Sequence, residues 1–324
     1  MDTSRIKHGS RKRESFMHPI IKLIAQRFTL GILLLVAASV LIFGLTEALP
    51  GDAAQAVLGQ AATPESLANL REEMGLNRPA TTRYFEWFGG VLTGDLGVSL
   101  TNRLDIAESV SKRLGNTLFL AFWAALVSVP LAIFLGLLAV RYRNRWPDKL
   151  ISGITLTTIS IPEFLIGYVL VYFLAVKLGF GSALAMINDS MTLWQKLQSI
   201  VLPVMVLTLV VLAHMMRMTR AAILNVMQSA YIETAELKGL STFNVIAKHA
   251  FPNAVSPIVN VVMLNLAYLV VGVVVIEVVF VYPGMGQFLV DAVTKRDVPV
   301  VLACGVIFAA IYIGLNMLAD IISI

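Results

Sequence analysis

Charge is scarce in this chain of 324 residues. Only 14% are Asp, Glu, Lys or Arg, whereas 57% are hydrophobic; soluble domains carry about 25% charged residues. The deficit excludes an ordinary water-solvated fold and makes lipid the expected solvent. Cysteine is almost missing. The single Cys304 rules out an internal disulfide, and its place in an apolar run marks it as a small core residue. The four histidines (His8, His18, His214, His249) are scattered, so no metal site is expected; His214, near one end of an apolar run, reads as packed or interfacial. There is no GxxxxGK[ST] phosphate loop, nor any Gly-Lys dipeptide, which excludes a nucleotide cradle of that kind. GxSxG, HExxH and Cys–His pairings are also missing, so no catalytic residue is expected and the chain is read as a non-enzyme. The net charge of +5 is no sign of nucleic-acid binding, because Lys and Arg cluster at the ends of apolar runs.

What the chain does have is long apolar segments. A bilayer span needs about 20 mostly apolar residues. Phe28–Thr46, Leu114–Val140, Leu197–Met216, Pro252–Ile276 and Val298–Ala319 contain no charge, and Leu150–Val176 contains one, Glu163. Six transmembrane helices are therefore expected in an all-α integral membrane fold. The first uncharged run, 19 residues long, exceeds the roughly 7–15 of a signal core, so it reads as an uncleaved span. Pro19–Phe28 reads as a short interfacial helix.

Orientation follows from Lys and Arg in the connections. Seven precede Phe28 and four lie in 141-RYRNRWPDK-149; Arg217, Arg220, Lys238 and Lys248 mark the 217–251 connection. The alternate connections are poorer. Both termini are thus expected in the cytoplasm. The organisation is a cytoplasmic tail (1–27), a first span (28–48), a periplasmic segment (49–113) and a five-span core (114–324) containing a cytoplasmic loop (217–257). Within 49–113, amphipathic helices are expected over Pro64–Met74 and Thr81–Leu92, with the aromatics of the second at the membrane interface.

The 217–257 loop reads as helix–turn–helix. Tyr231–Lys238 is made mostly of helix formers, Gly239 suits a left-handed stop beside Lys238, and Ser241 can cap a second helix. Phe243, Ile246, Ala247 and Ala250 then share an apolar face, and Pro252 marks the turn into the fifth span. Such a pair either packs on its own bundle or docks a soluble partner whose movement it passes to the spans.

Here the residues carry a resemblance. The stretch 233-ETAELKGL-240, with Pro252-Asn253-Ala254 beyond, resembles the EAA loop of ABC-importer permeases. In order, 49-LPGD-52, 74-MGLNRP-79, 94-GDLGVS-99, 217-RMTRAAIL-224 and 276-IEVVFVYPGMG-286 with Arg296-Asp297 resemble the B-type permeases of dipeptide, oligopeptide and nickel importers. The matches run over most of the chain, from Leu49 to Asp297. The resemblance implies a type I ABC importer permease fold with cytoplasmic coupling helices. It also implies a second, similar permease, two cytoplasmic ATPases that hold ATP and Mg while this chain binds no cofactor, and a periplasmic or lipid-anchored solute-binding protein. Carried over residue by residue, Tyr231, Glu233, Ala235, Lys238 and Gly239 are the ATPase-coupling residues, the small Ala235 allowing close approach to the ATPase and Gly239 making the turn. One departure stands out: Glu236-Leu237 occupies the place where the family prefers Arg-Ala.

Other residues follow. Glu163 in 160-SIPEF-164 is a candidate for the translocation path, where it could meet a substrate amine or line a gate; equally, it could bond backbone freed by Pro162. Glu277, a position the family shares, is expected to accept hydrogen bonds that hold the Pro283-Gly284-Met285-Gly286 turn. Pro50, Gly51 and Asp52 form a second structural motif. Asp320 is expected to pair at the interface, and Glu47 to be hydrated or packed on the Leu49–Asp52 turn. The expected function is half of an alternating-access path for dipeptides or oligopeptides. Nickel chelates, glutathione or opine-like solutes are alternatives within the class. Outside it stand an ATP-independent carrier or channel and a scaffold or receptor without transport.

Overall fold

The computed structural model describes residues 17–322 apart from 50, 52, 60 and 61. Among these residues the chain is helical, and the only β pairing is one isolated bridge between Val98 and Asp105. Four helices are each long and apolar enough to cross a bilayer: α1 (Met17–Glu47), α5 (Ile106–Arg141), α8 (Leu193–Met227) and α14 (Val298–Ile322). A fifth crossing runs through α10 (Thr242–Asn244), a π-helical turn (Val245–Ala250), α11 (Phe251–Gly272) and α12 (Val274–Val279). The sixth apolar segment is not one straight span. α6 (Trp146–Ser160) and α7 (Glu163–Leu170, extended by a π-helical turn, Val171–Lys177) meet at 103°. The cause is local. Pro162 forbids helical backbone to the residue before it, and Ile161 is extended at φ −96°, ψ 130°.

The expected interfacial helix at Pro19–Phe28 is not a separate element. α1 is continuous over 31 residues, about 46 Å at ~1.5 Å per residue, longer than the ~30 Å hydrocarbon layer. The turn expected at Pro252 is likewise missing. Proline lacks a donor and crowds the carbonyl four residues back; here Val245–Ala250 widens into a π turn and the helix continues.

α8 is the central post, with Val206, Val211, Met215, Met216 and Ile223 all buried. It packs along α5, whose facing side is a stripe of small buried residues: Ala121, Ala124, Ser128, Ala132, Gly136 and Ala139. At Gly136 a Cβ would lie 2.9 Å from Thr219 Cγ2, so the stripe brings the two backbones together. In lipid, where apolar side chains gain little by associating, close packing of this kind is a principal adhesive. α1 is peripheral and rests on α14; Arg27 pairs with Asp320 at 2.8 Å near one end of that contact, the pairing expected for Asp320.

The 49–113 segment lies across one end of the bundle. α2 (Ala53–Leu58) precedes α3 (Pro64–Glu73) and α4 (Ala80–Thr93), the latter two matching the expected amphipathic helices. Thr63 and Ser66 form a capping box at the start of α3, and Gly94 ends α4 at φ +85°. Tyr84 and Trp87 of α4 pack on Phe43 of α1, Phe88 stacks on Tyr84, and the Tyr84 and Ser39 hydroxyls are 2.8 Å apart. Glu47 is exposed and pairs with Arg83 of α4. The segment is also tied to the start of α14. The buried Asp297 accepts from Ser99 Oγ at 2.5 Å, Thr101 Oγ1 at 2.8 Å and Leu100 N at 3.1 Å. Near this end, Glu73 pairs with Arg103, whose guanidinium holds the carboxyl below its usual range. Between α12 and α14, α13 (Met285–Thr294) adds an unexpected short helix under the same end.

Candidate functional site

The polar hairpin between the fourth and fifth crossings has an exposed tip on a buried base. α9 (Ala230–Leu237) ends at Lys238, and Gly239 turns the chain at φ +78°, its N–H donating to Glu236 O at 2.9 Å. Ser241 Oγ accepts from Asn244 N at 3.4 Å and starts the second arm. Ile232 and Ala235, one helical step of three apart, face inward and are buried with Ile223, Val245, Ile246 and Ala250. Ala235 is covered by its own chain, and its small side chain keeps the two arms of the hairpin close together. Tyr231, Glu233, Glu236, Leu237, Lys238 and Leu240 are exposed, and Leu237 at the tip is 83% exposed. Tyr231 Oη also donates to His249 O at 3.3 Å, bracing the two arms. Phe243, at the start of the apolar face, lies out and stacks with Arg141, whose guanidinium carbon is 5.3 Å from the ring centre. The hairpin is a rigid knob whose base is continuous with α8 and α11.

Glu277 is fully buried and serves as the anchor of the Pro-Gly turn. It accepts from Thr117 Oγ1 of α5 at 2.6 Å, Gly286 N at 2.7 Å and Gln287 N at 3.1 Å. The carboxylate thus occupies the open N-terminus of α13, a favourable place for negative charge. Thr117 Oγ1 also accepts from Met285 N at 2.8 Å, Asn116 Nδ2 donates to Pro283 O at 2.8 Å and Tyr282 Oη to Asn116 O at 2.7 Å. The glycines are required by proximity rather than by dihedral angle. Gly284 has extended backbone (φ −97°, ψ −176°), yet a Cβ there would lie 2.0 Å from Glu277 Oε1; at Gly286 it would lie 2.6 Å from Val274 Cα. Of the other motif, Gly51 turns at φ +99° against Arg296, while Pro50 and Asp52 lie outside the described residues.

Glu163 opens α7 at the break of the bent crossing, and its Oε2 accepts from Tyr268 Oη of α11 at 3.2 Å. Its hydrogen bond goes to a neighbouring helix, not to backbone freed by Pro162.

A pair that the sequence reading missed lies beside the hairpin. The nearly buried Asp148 of α6 receives Arg220 Nε and Nη2 of α8, both at 2.9 Å, and Asn144 N at 3.0 Å. This bidentate clamp ties the helix that carries the hairpin to the first half of the bent crossing, so displacement of one pulls the other. The two residues are 72 positions apart, and nothing in a single sequence pairs them. Asp148→Ala leaves the guanidinium without its partner and is expected to cost about 3 kcal/mol. Arg220→Ala together with it should cost less than the sum of the two single changes, as read by thermal unfolding in detergent.

Comparison with known proteins meets this geometry at the level of the whole chain. Residues 20–121 match the N-terminal family of binding-protein-dependent transport system membrane components, and residues 128–323 match the inner membrane component family itself. A probable peptide ABC transporter permease protein of Sinorhizobium fredii is 33% identical over 92% of this chain and 95% of its own length. A putative peptide transport system permease protein of Brucella abortus is 33% identical over 93% and 96%, and the glutathione transport system permease protein GsiC of Escherichia coli 34% over 88% and 90%. A solved structure of the MetNI methionine ABC transporter in inward-facing conformations superposes with a TM-score of 0.46 at 19% identity, covering 66% of this chain and 94% of that one. With both family models together spanning nearly its whole length, this chain belongs to the binding-protein-dependent transport system inner membrane components, the multi-pass permease subunits of ABC importers.

Proposed function

We propose that this chain is one of two permease subunits of an ATP-driven importer for peptides, that its termini lie in the cytoplasm, and that its hairpin docks one of two ATPases. The observation that carries the docking is the exposed Leu237–Leu240 tip standing on a buried base, in a chain without a phosphate loop. ATP binding draws the ATPases together. The knob around Gly239 follows, and the attached α8, α11 and, through Arg220–Asp148, α6 open the translocation path toward a loaded binding protein outside. Hydrolysis resets the bundle. The chain performs no covalent chemistry; ATP and Mg belong to the ATPases. The 49–113 segment, tied to α14 through Asp297, faces the periplasm and receives the binding protein.

The peptide assignment rests on the names of relatives that match over nine-tenths of the chain. Glutathione, itself a tripeptide-like solute, is the second reading, supported by GsiC. The test is uptake into vesicles holding this chain, its permease partner, the ATPases and the binding protein. Labelled Ala-Ala-Ala should enter only with ATP and binding protein present, and competition with glutathione separates the two readings. Uptake by the chain alone down a gradient would make it an ATP-independent carrier or channel and overturn the proposal.

A further inference from the structure

We infer that Glu163 and Tyr268 form a recognition point for a cationic group, the ammonium of the solute, on the wall of the translocation path; the inference rests on the importer reading above and names what that path recognises. Glu163 lies in an apolar crossing, where an ionised carboxylate facing lipid is strongly disfavoured. Among the described residues no ion pair reaches it, and Tyr268 engages only Oε2, leaving Oε1 to accept. Glu163 is only half-buried and Tyr268 is 43% exposed. The pair therefore lies on a face that the subunit's own core does not cover. A carboxylate there is tolerated where the face is wet.

The pair is also built rather than incidental. The Pro162 break ends α6 and makes Glu163 the first residue of α7, at the corner where the two helices meet at 103°. On α11 the Tyr268 ring lies over Gly272, where a Cβ would come within 3.0 Å of Cζ. A residue with any side chain at 272 would push the phenol off that position. A carboxylate beside an aromatic ring is the arrangement that takes an ammonium: charge pairing at Oε1, and the ring face as a second attraction. Leu264, one turn before Tyr268, and Phe164, next to Glu163, are exposed and give the point an apolar rim suited to the uncharged body of a short peptide.

The test uses the assembled transporter with Cys304→Ala, which removes this chain's one native thiol, and labelling is read on this chain after separation from the other subunits. Tyr268→Cys is reacted with a trimethylammonium-ethyl and with a sulfonatoethyl methanethiosulfonate. The local negative charge should favour the cationic reagent at least about fivefold, and Glu163→Gln should abolish that preference. Leu264→Cys is a second reporter on the same helix face should Tyr268→Cys fail to assemble. Free Ala-Ala-Ala, delivered by the binding protein, should slow the labelling more than N-acetyl-Ala-Ala-Ala does. Failure of both thiols to react, as a partner subunit covering the face would cause, overturns the inference. So does a preference unchanged by Glu163→Gln, or equal protection by the two peptides. These outcomes are separable from the importer reading, which fails instead if wild-type vesicles take up Ala-Ala-Ala without ATP.

Discussion

Gly284→Ala will sharply lower both the yield and the thermal stability of the folded chain. The added Cβ would lie 2.0 Å from Glu277 Oε1 and 2.2 Å from Cδ, and the carboxylate cannot retreat, because Thr117, Gly286 and Gln287 hold it. Retreat would leave these three donors without a buried acceptor, so the clash and the lost hydrogen bonds are alternatives and both are expensive. The expected loss exceeds about 4 kcal/mol, at the extreme of single substitutions. Glu277→Ala removes the obstacle but strands the same donors, at about 3 kcal/mol. The double variant Glu277→Ala/Gly284→Ala should therefore cost less than the sum by more than about 1 kcal/mol. The buried Cys304 supplies the readout, since a thiol-reactive fluorophore reports its exposure on thermal unfolding. Additive costs would show that the turn does not depend on the carboxylate.

Leu237→Asp gives the second large effect, on transport and not on folding. Leu237 is 83% exposed, so the change should move Tm little. If the tip seats in an ATPase, an aspartate there places a charge in what must become a buried contact. Losses of 2 kcal/mol or more are typical when a central interface residue is disrupted, about thirtyfold in affinity, and peptide uptake should fall accordingly while the chain still inserts. Gly239→Pro should uncouple as well. Proline cannot adopt φ +78° and removes the N–H that bonds Glu236 O. Ala235→Arg is a different experiment. Ala235 is buried on its own chain, so this variant should fail by destabilising the hairpin. Normal uptake by Leu237→Asp would remove the tip from the docking contact.

Much of this organisation is legible in one dimension because the bilayer imposes a simple rule. Five crossings announce themselves as uncharged runs, since lipid tolerates no stray charge and helices satisfy their own backbone. Gly239 marks the hairpin turn and Ser241 the start of its second arm, because caps and left-handed turns depend on residues within a few positions of one another. The direction a side chain faces is harder to read. The motif marks Ala235 as a small residue, but the apolar neighbours that bury it come from both arms of the hairpin and from α8. Pro162 and Pro252 look alike as local signals, yet one breaks a crossing by 103° and the other is absorbed by a π turn. Which outcome occurs depends on what packs around each proline.

Composition and local pattern were enough for the solvent, the number of apolar crossings, the Gly239 turn and the family. These depend on composition and on interactions within about four residues. Only the tertiary structure decided that Asp148 meets Arg220, that Asp297 ties Ser99 and Thr101 to α14, that Glu277 fills the space two glycines leave open, and that Glu163 meets Tyr268. Each of these joins groups far apart in the chain. A polar group in a low-dielectric interior must find a partner, but which partner it finds is set by how the helices pack.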